Sequence, residues 1–133
     1  MTKTAIIFGW DVRTLPPEHL AGIHANKLFD GKEKFLAVFF EGVDRIKASG
    51  VDLDVAFIDG AKSDDANIEI IRSALALKMY DVVLVGNGLR ALPDVRFFER
   101  AVNAVHQGAP TSRIVFNNTP LDNFEAIERG FQQ

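Results

Sequence analysis

Four short stretches of the chain are apolar without interruption. Ala5-Ile6-Ile7-Phe8 ends at Gly9, and Val55-Ala56-Phe57-Ile58 ends at Asp59-Gly60. Val82-Val83-Leu84-Val85 ends at Gly86-Asn87-Gly88, and Ile114-Val115-Phe116 ends at Asn117-Asn118-Thr119-Pro120. None alternates apolar with polar. Continuous runs of this length predict strands covered on both faces, as in parallel sheets, and the turn formers after each run stop the strand.

Between the runs the apolar spacing becomes helical. Phe35, Val38, Phe39, Val43 and Ile46 share one face, and Gly50 ends that segment. Ile68, Ile71, Leu75 and Met79 form the next face, with Asp64 or Asp65 placed to cap its start. Val95, Phe98, Val102 and Val105 form a third face, starting after Pro93 and ending near Gly108. Phe124, Ile127 and Phe131 predict a short last helix.

Strand and helix thus alternate four times, which predicts a mainly parallel four-stranded sheet with helices on both faces, a three-layer αβα sandwich. Right-handed crossovers favour the strand order 2-1-3-4, a shortened flavodoxin-like or Rossmann-like sheet. No repeat, linker or low-complexity stretch breaks the pattern, so residues 1–133 read as a single α/β domain. One connection departs from it. Gly9 to Lys34 is long, because most such loops run about 2–6 residues. It carries Pro16-Pro17 and a weak helical period at Leu20, Ile23 and Leu28. It reads equally as a lid over a binding site or as a helix capping the sheet edge.

Composition narrows the function classes. The 133 residues are 47% hydrophobic and 25% charged, ordinary for a folded domain. Eleven of the thirteen aromatics are Phe, which offers no hydrogen bond and belongs in core or interface. Cysteine is absent, which excludes disulfides, thiolate metal sites and cysteine nucleophiles. No apolar stretch approaches the roughly 20 residues needed to span a bilayer, and no signal-type run opens the chain. The expected setting is cytoplasmic, away from membranes. Net charge is −3 with basic residues scattered, so the footprint of a nucleic-acid surface is missing.

In open parallel sheets ligands bind at the carboxyl ends of the strands, where the strand order reverses. For order 2-1-3-4 that point lies between the first and third strands. The loops there are Gly9-Trp10-Asp11-Val12-Arg13 and Gly86-Asn87-Gly88-Leu89-Arg90. Each has Gly at the strand end, which lets a ligand approach the backbone. Each also has an Arg, whose planar fork suits carboxylate or phosphate. Asp59, Asn117, Asn118 and Thr119 come from neighbouring loops. The expectation is a binding module for a small anionic or nucleotide-like ligand, with Trp10 stacking on a flat ring. An alternative is an enzyme with Asp11 or Asp59 as acid or base and Arg13 and Arg90 holding an anionic substrate. A further alternative is a protein-interaction module without a small ligand.

Familiar motifs do not fit. Gly86 to Ala91 matches the dinucleotide fingerprint G-x-G-x-x-A, but it follows the third strand, and Leu92-Pro93 delay the next helix. The loop after the first strand lacks the Ser/Thr and Gly of a flavodoxin phosphate loop. Asp11 stands too late for a haloacid-dehalogenase nucleophile, since Gly9 holds that position. The architecture resembles a response-regulator receiver, but Gly86-Asn87 occupies the end where its phosphorylated Asp would stand. No P-loop and no serine elbow exist, and no metal-ligand set stands out. His19 and His24 lie five apart, off a single helical face. No cofactor is indicated. The helix from Phe35 to Ile46 also carries Leu36 and Phe40 outside its main stripe, and Phe97 stands beside Phe98. Surplus apolar area of this kind predicts cover by the long loop or by a second copy in a homodimer.

Overall fold

All four apolar runs are strands of one parallel sheet. A computed structural model describes residues 2–15, 31–91 and 94–133. The strands are β1 (Lys3–Trp10), β2 (Val51–Ile58), β3 (Val82–Val85) and β4 (Arg113–Phe116). Their order is β2-β1-β3-β4, and every neighbouring pair is parallel. Helices α1 (Lys32–Ala48), α2 (Asp64–Leu77), α3 (Asn87–Arg90), α4 (Arg96–Gly108) and α5 (Asn123–Gln132) connect and cover them. Two single 3₁₀ turns, Val12–Thr14 and Pro120–Asp122, follow β1 and β4.

Because strand side chains alternate in direction, each apolar run feeds two cores at once. Ala5, Ile7, Val82, Leu84 and Val115 pack with Phe35, Phe39, Val43 and Ile46 of α1 and Ala126 and Ile127 of α5. Ile6, Phe8, Val83 and Val85 pack on the opposite face with Ile68, Ile71 and Leu75 of α2 and Phe97, Ala101, Ala104 and Val105 of α4. The result is the three-layer sandwich expected from the pattern.

Details of the helices depart from the sequence reading. The cap of α2 is Ser63, whose hydroxyl accepts the Ala66 N–H at 3.2 Å. Asp64 and Asp65 stand in the first turn, where their charge complements the helix dipole. Met79 lies beyond the end of α2 and is exposed. The inward row of α4 is Phe97, Ala101, Ala104 and Val105, displaced from the predicted Val95, Phe98, Val102 and Val105. Val95 precedes the helix and is exposed, and the two alanines let α4 approach α2 closely. In α5 the buried row is Asn123, Ala126, Ile127 and Gly130, with Phe124 and Phe131 half-buried beside it. Among the described residues no helix is long and apolar enough to cross a membrane.

β2 begins four residues before its continuous run, so Asp52 and Asp54 lie within the strand. They meet the segment that precedes β3. Lys78 Nζ stands 3.1 Å from Asp52 and 2.9 Å from Asp54, and the Tyr80 hydroxyl donates to Asp54 at 2.6 Å. Burial, and then the Asp54 carboxylate, push the Tyr80 phenol up to about 12. Those bonds hold the Asp54 carboxyl below its ordinary value, with Tyr80 the larger cause and Lys78 the next. Tyr80 is the single tyrosine, so a spectrophotometric tyrosinate titration reads it alone. The expected midpoint is about 12. Folded and unfolded chains both keep the phenol protonated below about pH 10, and only the unfolded chain ionises between there and about 12. Stability is therefore expected to fall across that window. In Tyr80→Phe this part of the alkaline loss disappears.

Candidate functional site

The carboxyl ends of β1 and β3 frame a narrow cleft. The ladder between them continues one residue past β3, because Gly86 N–H donates to Phe8 O at 2.8 Å. A Cβ at Gly86 would lie 3.0 Å from that carbonyl, tight against a backbone atom that cannot give way locally. Gly86 is also the N-cap of the one-turn helix α3, so the Gly-rich segment does open a helix directly. Trp10 closes one side. Its indole Nε1 donates to Gly88 O at 3.0 Å, and its ring lies 5.5 Å from that of Phe97.

The first turn of α1 and the turn after β4 supply the rest of the wall. Gly9, Trp10, Gly86, Asn87, Gly88 and Asn117, all expected from the sequence, line the cleft together. Ile7, Val12, Phe35, Phe39, Pro120 and Asn123 line it too. Counted out to its open mouth the cleft has about 440 Å³. The part closed off from bulk solvent holds on the order of a few water molecules. No charged side chain is among the described residues that line it.

A chain of carboxamides crosses the floor. Asn117 is buried, and its Oδ1 accepts the Asn87 backbone N–H at 2.7 Å. Its Nδ2 donates to Oδ1 of Asn123, also buried, at 2.6 Å. The Asn117 carbonyl accepts Nη2 of Arg90. The guanidinium carbon of Arg90 lies 5.8 Å from the centre of the Phe116 ring, and its Nη1 is buried with no partner among the described residues.

The remaining predicted residues serve the surrounding turns. Arg13 grips Asp11 through two side-chain bonds of 2.8 and 3.0 Å, and its own N–H donates to the same carboxylate. Arg13 thereby holds the Asp11 carboxyl below its ordinary value. A carboxylate stabilised in its charged form is poorly suited to general acid or base work near neutrality. Asp59 accepts the Ala61 N–H at 2.8 Å, and its own backbone is held on both sides by the carboxamide of Asn67. Asn118 and Thr119 donate their N–H groups to Asp122, and the Thr119 hydroxyl accepts the Leu121 N–H. Arg90 lies behind Asn117, outside the lining.

The surfaces expected to pair two copies are mostly turned inward. Phe35, Phe39, Val43, Ile46 and Phe97 are core residues, whereas Phe40 is 42% exposed and packs against Phe39 and Phe57. The Gly9–Lys34 lid or cap concerns residues 16–30, which, like 92–93, lie outside the described residues; so do His19 and His24. Among the described residues no group of His, Cys, Asp and Glu could hold a metal ion.

Phe35 and Phe39 escape the sequence reading because they also belong to the core stripe of α1. Asn123 leaves a fainter trace, a polar residue four before Ile127 on what is otherwise an apolar face. No protein-family model matches this chain, and neither does any curated protein.

Proposed function

We propose that this domain binds a small, flat, uncharged ligand in the cleft at the carboxyl ends of β1 and β3. The observation that carries the reading is the convergence of Gly9, Trp10, Gly86, Asn87 and Asn117 with Phe35 and Phe39 around one opening without a charged lining residue. Apolar walls with a few placed polar groups are the ordinary make-up of a small-molecule site. The location agrees with the general rule for open α/β sheets. Arg13 is taken up by Asp11, and Arg90, whose Nη1 has no partner among the described residues, lies outside the lining with its Nη2 on the Asn117 carbonyl. The reading therefore moves from an anionic ligand to a neutral one.

Trp10 is the only tryptophan and lines the cleft, so its fluorescence reports occupancy directly. Titration with neutral single-ring heterocycles is expected to shift Trp10 emission saturably. The same rings carrying a phosphate or carboxylate are expected to bind more weakly. Stronger binding of the anionic forms would restore the anion reading, and silence of Trp10 across both sets would end the ligand reading. Self-association would draw on the exposed Phe40 of α1. Size-exclusion chromatography with light scattering on the same samples tests it, and a clean monomer removes it.

A further inference from the structure

We infer that the cleft selects its ligand by a hydrogen-bond polarity fixed in the backbone: Asn123 Nδ2 offers a donor, and the ligand must carry a neutral acceptor, a carbonyl oxygen or a ring nitrogen. This rests on the cleft being a ligand site. The Asn87 N–H can only donate. Its partner on Asn117 must therefore be the carboxamide oxygen, as the 2.7 Å contact has it. Asn117 is then obliged to turn its nitrogen toward Asn123. Asn123 receives it with its own oxygen at 2.6 Å. What Asn123 has left is Nδ2, which has no partner among the described residues although the residue is only 2% exposed. Each carboxamide is set by the one before it, so neither can flip alone without facing like against like.

Three backbone carbonyls nearby each already accept a bond. Gly86 O takes the Leu89 N–H at 3.1 Å, Asn87 O takes the Ala91 N–H at 3.1 Å, and Gly88 O takes the Trp10 indole at 3.0 Å. The Asn87 side chain, which also lines the cleft, has no hydrogen-bond partner among the described residues and can turn to suit either kind of ligand. The fixed preference comes from Asn123. Its donor still touches solvent in the free protein, so a ligand without an acceptor displaces its water and leaves it unanswered, and that cost is the source of selectivity.

Three rings of similar size separate the possibilities: pyridine, which only accepts; pyrrole, whose N–H donates; and benzene, which does neither. Binding to the full chain is followed by Trp10 fluorescence and by NMR shifts of the carboxamide groups. Pyridine is expected to bind roughly tenfold more tightly than pyrrole, the ratio for one net hydrogen bond. In Asn123→Asp one carboxylate oxygen accepts from Asn117 and the other faces the cleft, so the preference should invert toward pyrrole. Asn117→Asp reaches the same result from a distance. Measured at a pH where the new carboxylate is ionised, it forces Asn123 to turn over and present its oxygen. Circular dichroism identifies a variant that does not fold, and the other then decides. Equal binding of pyridine and pyrrole to the native chain, or an unchanged preference in a folded variant, overturns the polarity inference and leaves the site standing. Failure of all three rings to perturb Trp10 or the carboxamides overturns the site and the inference with it.

Discussion

Gly130→Leu is expected to lower the free energy of unfolding by about 3 kcal/mol or more, at the upper end of what overpacking costs. The position lies in the buried row of α5, pressed onto β3 and β4. A Cβ there would stand 2.6 and 2.7 Å from the two methyl carbons of Val82 and 3.2 Å from a methyl of Val115. Val82 is fully buried and, being β-branched, has no alternative rotamer to retreat into. Gly130→Ala should cost less, about 1–2 kcal/mol, because removal of a helical glycine returns up to about 1 kcal/mol. Gly42 is the control. It also lies inside a helix, α1, but a Cβ there meets nothing within 4 Å. Gly42→Ala is expected to stabilise by about 0.5–1 kcal/mol. Urea midpoints of the variants, with slopes compared, read the opposite signs directly. A neutral Gly130→Leu would mean that α5 is not seated on the sheet as described.

Asn117→Leu is expected to be nearly as damaging, for the opposite reason. Leucine fits the apolar surroundings, but it leaves the Asn87 N–H and the Asn123 Oδ1 without partners in a buried place. Each unanswered group costs about 1–3 kcal/mol, and the gain from added apolar area recovers only part of that. A net loss of about 2–4 kcal/mol in urea unfolding is expected. The Arg90 bond goes to the backbone carbonyl of residue 117 and should persist. Asn118→Leu is the contrast. That side chain is exposed, with one long 3.3 Å bond to Asp122, and its replacement should cost little. Equal losses at the two positions would remove the floor network from the account of stability.

Much of the fold was written in the run lengths. Val82 to Val85 and Ile6 to Phe8 are apolar at every position because helices cover both of their faces, and an uninterrupted run has no other economical use. β2 is an edge strand, and its first half follows another rule. Val51 and Leu53 enter the α1 core, while Asp52 and Asp54 turn to Lys78 and Tyr80 on the other side. Reading for continuity therefore found only its second half. The displaced face of α4 has a related cause. Its residues offer two overlapping apolar rows, and the close fit against α2, invisible locally, chose the row with alanines.

The site was legible as a place and less so as a chemistry. Gly9 near the end of β1 and Gly86 just after β3 pointed to the cleft, because strand ends at a switch point must leave room there. The charged residues of these loops are engaged locally for a physical reason. Short turns supply their own partners, so Arg13 found Asp11 two residues away and Asp59 found the Ala61 N–H. Asn123 is the first residue of α5, six past Asn117, and the geometry of the turn between them, which the residue types alone do not display, brings the two side chains together.

The Asn87 N–H has a consequence for how this cleft can change over generations. Every amino acid except proline carries that group, so substitution at position 87 leaves the start of the carboxamide chain untouched. Positions 117 and 123 have no such freedom, since each must match its neighbour. Drift at the first position is silent for the chain of bonds, whereas an apolar residue at either of the other two breaks it and an acid at either reverses what it shows to the cleft. A lineage that acquires a different ligand by this route must alter 117 or 123 while the peptide group that directs them is inherited intact.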